Sequence, residues 1–421
     1  MFDLLIRQAK LLSQEAPVDI GIQKGSIAHI GDLTHAVARQ VIEASGQLVL
    51  PPLVESHIHL DTVLTAGTPR WNESGTLFEG IGIWQERKAA LSREDVLARA
   101  MRVIESQMKQ GILFVRSQAD ISDPLLTALR ALLEVRERVA PYMTLQVIAF
   151  PQDGLVACPD NQARLEEAIR LGADGIGAIP HCEPTREAGV ESLKICFDLA
   201  KRYDKQVHVF CDELDDEHSR FLEVVAQMAI KTGLRHRVTA SHVSATAYYN
   251  EAYFQKLLGL VARSGIHIVA CPLINSAMQG RFDTYPRGRG IARIKEFWQA
   301  GVNVSIAHDD IQTPFYPLGS ANMMQAAHMA LHLAHMTGRE ELEEMVRMVT
   351  LRAARTLGID GDYGIEVGKP GSMVIYPVTE PADLLRLQPH CRYVIYRGEV
   401  LAETEPVTTL FHRPWSVLES I

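Results

Sequence analysis

The 421-residue sequence has no uninterrupted apolar run of about 18 residues, so no transmembrane helix is expected. It has no basic run, and its net charge is -9; this argues against nucleic acid or an anionic membrane as main partner. The first residues, Met1-Phe2-Asp3-Leu4-Leu5-Ile6-Arg7, lack the basic region and the length of a secretory signal. There is no Cys-x-x-Cys: Cys158, Cys182, Cys196, Cys211, Cys271 and Cys391 are scattered and read as buried free thiols of a cytoplasmic protein. No Gly-x-Gly-x-x-Gly turn follows an early strand, which disfavours a doubly wound nucleotide-binding sheet. Long-period repeats and low-complexity stretches are also missing. What remains is globular: 47% hydrophobic and 22% charged residues, a length that suits one large barrel plus a small satellite.

The chain is organised around Pro51-Pro52-Leu53-Val54-Glu55-Ser56-His57-Ile58-His59-Leu60-Asp61. Residues two apart on a strand share a face, so His57 and His59 can offer two imidazoles to one ion such as zinc. A His-x-His pair at a strand end more often serves unrelated partners, so the other ligands must be sought elsewhere in the chain.

Residues 1 to 50 read as short strands with tight turns: Phe2 to Arg7, Val18 to Gln23, Ser26 to Gly31 and Gln40 to Ala44. The end has the same texture, with Ser372 to Pro377, Cys391 to Arg397, Glu399 to Thr404 and Thr408 to His412. Between these ends, strand-like runs alternate with helical segments. The runs are Leu113 to Ser117, Leu145 to Phe150, Gly175 to Ile179, Gln206 to Cys211, Val238 to His242, His267 to Ala270 and Val302 to Ala307. The helical segments include Arg93 to Lys109, Pro124 to Val139, Gln162 to Gly172, Gly189 to Tyr203, Ser219 to Gly233 and Tyr249 to Ser264. Alternation means βαβ units and a parallel sheet. With the strand carrying His57, eight repeats fit a (β/α)8 TIM barrel, whose site lies at the C-terminal strand ends. Residues 51–364 are assigned to the barrel, and residues 1–50 with 365–421 to a composite β-sandwich.

The strand ends carry His57 and His59; Arg116 to Asp120; Pro151-Gln152-Asp153-Gly154; His181-Cys182-Glu183; His208 to Glu213; Ser241-His242; and His308-Asp309-Asp310. Any one of these could merely cap a helix or hold a loop. Their convergence on one barrel face is hard to ascribe to coincidence, and His57, His59 and Asp309 together suit a catalytic metal with an open position.

Over nearly its whole length the chain resembles the bacterial cytosine deaminases of the amidohydrolase superfamily. The resemblance is carried by Pro51 to Thr62, Trp71 to Gly80, Ala149 to Gly154, Cys211 to Asp216, Thr239 to His242, Gln279 to Pro286 and His308 to Gly319. It implies a barrel flanked by a β-sandwich of both termini, one divalent metal (zinc or iron), hydrolytic deamination of a small amino-heterocycle in pyrimidine metabolism, and a homo-oligomer. By resemblance His57, His59 and Asp309 bind the metal, and Asp309 also takes a proton from water. Glu213 shuttles protons to the ring nitrogen and the departing amine. His242 polarises the attacking water or the tetrahedral centre. Gln152 reads a ring amide edge, Asp310 meets a ring N–H, and Leu77 and Phe315 line the pocket. Phe315 stands where the family has a larger aromatic. His181 and His308 are left outside the site as supporting or core residues.

One departure matters. The family carries a metal-ligating histidine three residues before the glutamate, and here that position is Phe210. His208 lies on the same strand face but roughly 6–7 Å away along the strand. Three outcomes follow: three protein ligands plus waters, completion of the shell by His242 or His208, or a weak metal with altered or lost activity. A binuclear site bridged by a modified lysine is disfavoured, because Ile176 to Glu183 contains no lysine. The expected function is a metal-dependent deaminase of cytosine or a near relative. The alternatives are a cyclic amide or amidine hydrolase and a silent heterocycle-binding homologue.

Overall fold

The computed structural model describes residues 1–12, 14, 16–410 and 412. The first sheet is β1 (Phe2–Ala9), β2 (Val18–Gln23), β3 (Ser26–Gly31) and β4 (Ala38–Glu43), in the order β3-β2-β1-β4. The short β5 (Leu48–Leu50) then leaves it and leads into the barrel.

The barrel strands are β6 (Leu53–Ile58), β7 (Ile112–Asp120), β8 (Thr144–Phe150), β9 (Gly175–Ala178), β10 (Gln206–Cys211), β11 (Val238–His242), β12 (His267–Ala270) and β13 (Asn303–Ile306). They pair in sequence order and in parallel. Almost every strand residue is buried, as strands covered on both faces must be. A parallel bridge between Ile58 and Asp309 closes the circle. It is reinforced by the Glu55 carboxylate, which accepts the His308 backbone N–H at 3.1 Å.

The intervening helices start where a side chain caps them: Ser92 for Arg93–Lys109, Thr185 for Arg186–Tyr203 and Asn250 for Glu251–Ser264. Two expected helices start late. Asp123 accepts the Thr127 N–H at 2.7 Å, so that helix begins at Thr127. Asp212 accepts the N–H groups of Phe221 and Leu222, so the next begins at Leu222 and not at Ser219.

The second terminal sheet, β14 (Met373–Tyr376), β15 (Tyr393–Tyr396) and β16 (Glu399–Glu403), takes in β5 in the order β16-β15-β14-β5. Its inner face packs Val49, Met373, Ile375 and Ile395 against Leu4, Ile6, Ile20 and Ile22 of the first sheet. This is a β-sandwich built from both ends of the chain. The strand expected over Thr408 to His412 is not formed at residues 408–410, and Phe411 lies outside the described residues.

Candidate active site

Side chains converge at the C-terminal ends of the barrel strands. There the chain turns sharply, and Asp212, His242, Val243 and Asp309 all have positive φ. Non-glycine residues in that region cost on the order of 1–3 kcal/mol each, and such strain concentrates at functional sites. The backbone thereby aims His242 and Asp309 inward from β11 and from just past β13.

Asp309 is central. Its Oδ1 lies 3.5 Å from His57 Nε2 and 3.9 Å from His59 Nε2, and its Oδ2 lies 3.9 Å from His242 Nδ1. Among the described residues, His57, His242, Cys271 and Asp309 place ligand atoms within 4.8 Å of one another, all buried. His59 falls outside that set of four. Burial and the neighbouring His208 hold His57 well below the usual imidazole range, and burial with His181 does the same for His242. Burial takes His59 to about 4. These imidazoles are neutral, the form that ligates metals.

The acids run the other way. Burial, then Asp310 and Glu213, push Asp309 well above the carboxylate range, and burial takes Asp310 to about 7. His57 Nε2, His242 Nε2 and Asp309 Oδ1 are buried without a hydrogen-bond partner among the described residues. Buried polar atoms are almost always partnered. An imidazole nitrogen and a carboxylate oxygen left bare 3.5 Å apart, with further neutral imidazoles around them and acids too crowded to ionise together, fit one divalent cation.

Glu213 stands beside this cluster, with Oε1 3.2 Å from His242 Nδ1. Burial, then the charge of Asp310, raise its pKa to about 8. Asn275 donates to Glu213 Oε1 and approaches His242 Nδ1, each at 3.3 Å. The residues predicted from sequence meet in one cavity: His59, Leu77, Gln152, Glu213, His242, Asp309, Asp310 and Phe315 all line it, with Ile179, Phe210 and Ile274. His57 lies beneath the floor, fully buried. Leu77 opens α1 (Leu77–Lys88), and Phe315 lies so close to Gly80 that a Cβ there would sit 2.7 Å from its ring. Thus α1 and the 309–319 loop form one wall.

Other strand-end residues do structural work. The Glu183 carboxylate accepts the backbone N–H groups of Leu155, Val156 and Ala157. Asp212 caps the 219–222 turn. Arg116 is buried in the barrel interior, donating to Gln146, Thr239 and Gln206. His208 pairs with His57, Nε2 to Nδ1, at 2.8 Å, so it orients that ring from behind.

Phe210 stacks on Phe150 at 4.0 Å between ring centroids and abuts His57 at 4.6 Å, so β10 presents a hydrocarbon face to the cluster. Gly177 allows this, since a Cβ there would sit 3.0 Å from Phe150 Cα. Sequence reasoning missed Cys271 and Asn275. Cys271 follows β12 directly, at the one strand end to which no polar residue had been assigned.

A closed parallel barrel with imidazoles and carboxylates converging at its C-terminal strand ends, beside a terminal β-sandwich, defines a barrel hydrolase with a metal-ready centre. The model of the Amidohydrolase family matches residues 40–402, and the chain belongs to that family. A solved structure of 5-methylcytosine deaminase from Klebsiella pneumoniae, liganded with 5-fluorocytosine, shares 41% identity at a TM-score of 0.94, covering 97% of this chain and 99% of that one. N-isopropylammelide isopropyl amidohydrolase of Pseudomonas sp. (strain ADP) is 28% identical over 412 residues, 96% of this chain and 98% of its own. Pterin deaminase of Rhizobium rhizogenes is 28% identical over 365 residues, 85% and 82% of the two chains.

Proposed function

We propose that the protein is a metal-dependent hydrolytic deaminase of cytosine or a closely related amino-heterocycle such as 5-methylcytosine. The observation that carries this is Glu213, a carboxyl with a pKa of about 8, set beside neutral imidazoles and Asp309 in a cavity that Gln152 and Asp310 also line. The likeness to 5-methylcytosine deaminase supports the substrate class.

His57, His59 and Asp309 hold the metal in this reading, with His242 close by. The ion is zinc or iron, and when bound it supplies Lewis acidity that lowers the pKa of water towards neutrality. The chain's own groups do the rest. Asp309 takes a proton from the attacking water. Glu213 gives its proton to the ring nitrogen next to the attacked carbon, which becomes tetrahedral. Now a base, Glu213 takes the hydroxyl proton of that centre and passes it to the amine, ammonia leaves, and the proton held by Asp309 returns to Glu213 to restore both groups. One carboxyl serves both steps because its pKa lies near the working pH. His242 steadies charge on the oxygen of the tetrahedral centre. The Gln152 carboxamide, both donor and acceptor, reads the ring amide edge. Asp310 accepts from a ring N–H.

The test is ammonia release by the metal-loaded protein from a panel of amino-pyrimidines, amino-purines and amino-triazines. Turnover of an amino-pyrimidine is expected, and silence across the panel sinks the proposal. Phe210 favours a second reading, a heterocycle-binding homologue without turnover. Binding of a ring by protein that takes up no metal and releases no ammonia would select it.

A further inference from the structure

We propose that Cys271 supplies a thiolate to the metal, joining His57, His59 and Asp309 from the side of the barrel away from Phe210 and leaving a position for water. The inference rests on the metal-dependent reading above. On the β10 side no donor is available among the described residues. Phe210 fills that space, 4.6 Å from His57 and 5.2 Å from His242 between ring centroids. His208 is turned away, its Nε2 spent on His57 Nδ1.

On the other side, register brings Cys271 into place. Ser241 pairs with Val269 and Ala270 with Ile306, so Cys271 stands one step past the level of His242 and beside the run that ends in Asp309. A ligand atom of Cys271 lies within 4.8 Å of ligand atoms of His57, His242 and Asp309. Cys271 is 1% exposed and is a free cysteine. The short helix Pro272–Met278 that follows it is anchored to the same cluster, because Asn275 reaches both Glu213 and His242 at 3.3 Å. His57 Nε2, which lies 3.5 Å from Asp309 Oδ1, is buried with no hydrogen-bond partner among the described residues.

Binding turns the thiol into a thiolate: the S–H bond breaks, a metal–sulfur bond forms and one proton is released per site. A soft sulfur donor favours zinc or iron over magnesium or manganese.

The experiment is X-ray absorption fine structure on the full-length protein loaded with Zn2+ alone. One sulfur neighbour at about 2.3 Å is expected beside nitrogen and oxygen at about 2.0–2.2 Å. It should vanish in Cys271→Ser and persist in Cys211→Ser. If Cys271→Ser does not fold, the wild-type spectrum together with Cys211→Ser decides. Bound zinc with nitrogen and oxygen neighbours only overturns the thiolate and leaves the metal-dependent reading standing. Zinc that does not bind at all overturns both.

Discussion

At the scale of the residue, Glu213 and His208 make separable predictions. Glu213 touches His242 and, in the proposed chemistry, delivers the protons to both the ring nitrogen and the amine. Glu213→Gln keeps the shape and the Asn275 contact but cannot carry a proton. Turnover should fall by more than the roughly 10²–10⁴-fold typical of one proton-transfer group, with metal content unchanged. A wild-type rate in that variant would show the shuttle to be misassigned. His208 acts through His57. His208→Phe leaves His57 Nδ1 without its 2.8 Å partner, and metal affinity should drop about 10–100-fold in a chelator competition while the circular dichroism spectrum stays wild-type. Unchanged affinity would mean that His57 is oriented by packing alone.

The same two residues show what was legible in the sequence. His57, His59, His242 and Asp309 announce themselves as polar residues ending apolar runs, and the loss at Phe210 is equally plain. What a lost ligand leaves behind is not, because it depends on the register of strands far apart in sequence. Cys271 reads as one more core thiol until β11, β12 and β13 are aligned. Glu183 and Asp212 err in the other direction. A carboxylate that staples a loop and one that faces a substrate look alike at a strand end, and only the hydrogen bonds of Glu183 to residues 155–157 separate them.

At the scale of the element, α1 is a wall of the pocket held by a clamp. Lys88 Nζ lies 2.8 Å from Asp120 Oδ2 and 2.9 Å from Asp153 Oδ2, and Trp84 Nε1 donates to Asp120 Oδ2 at 2.9 Å. The clamp ties α1, and with it Leu77 and the seat of Phe315, to the ends of β7 and β8. Lys88→Met leaves two acids facing each other without a cation. We expect a loss of roughly 1–3 kcal/mol in urea unfolding and a KM that rises more than kcat falls. A change in kcat alone would show that α1 does not shape the pocket.

The bottom of the barrel makes a prediction about acid. His267 on β12 is held neutral between the His236 carbonyl at 2.9 Å and Asn303 at 3.0 Å. Burial takes its pKa to about 4 from an ordinary 6.5. Between those values the unfolded chain binds a proton that the folded one refuses, so stability falls as pH drops through that window and is unaffected above it. The contribution between about pH 7 and about pH 5 is about 2 kcal/mol. His267→Gln should lose that much less than wild type over the same interval in urea titrations. An identical acid loss would assign the effect to other groups.

At the scale of the whole molecule, a bound ion would join β6, β12 and β13, the first and the last strands of the barrel. Ligation adds free energy to the folded state alone, about 4 kcal/mol when free metal stands 1,000-fold above its Kd. Exhaustive chelation should therefore lower the melting temperature, and zinc should restore it. A melting curve indifferent to both would remove the metal from the fold and from the proposed chemistry.

The closure of the barrel also carries a consequence in time. Glu55 and His308 meet across 253 residues, and Ile58 bridges to Asp309 at the same seam. A ribosome making about 5–20 residues per second needs roughly 10–50 s to travel from one to the other. Throughout that interval the nascent chain displays His57 and His59 without the carboxylate that completes their company. A centre built from these residues would become selective only once the last strand docks, so an ion would be chosen after birth, by a finished object.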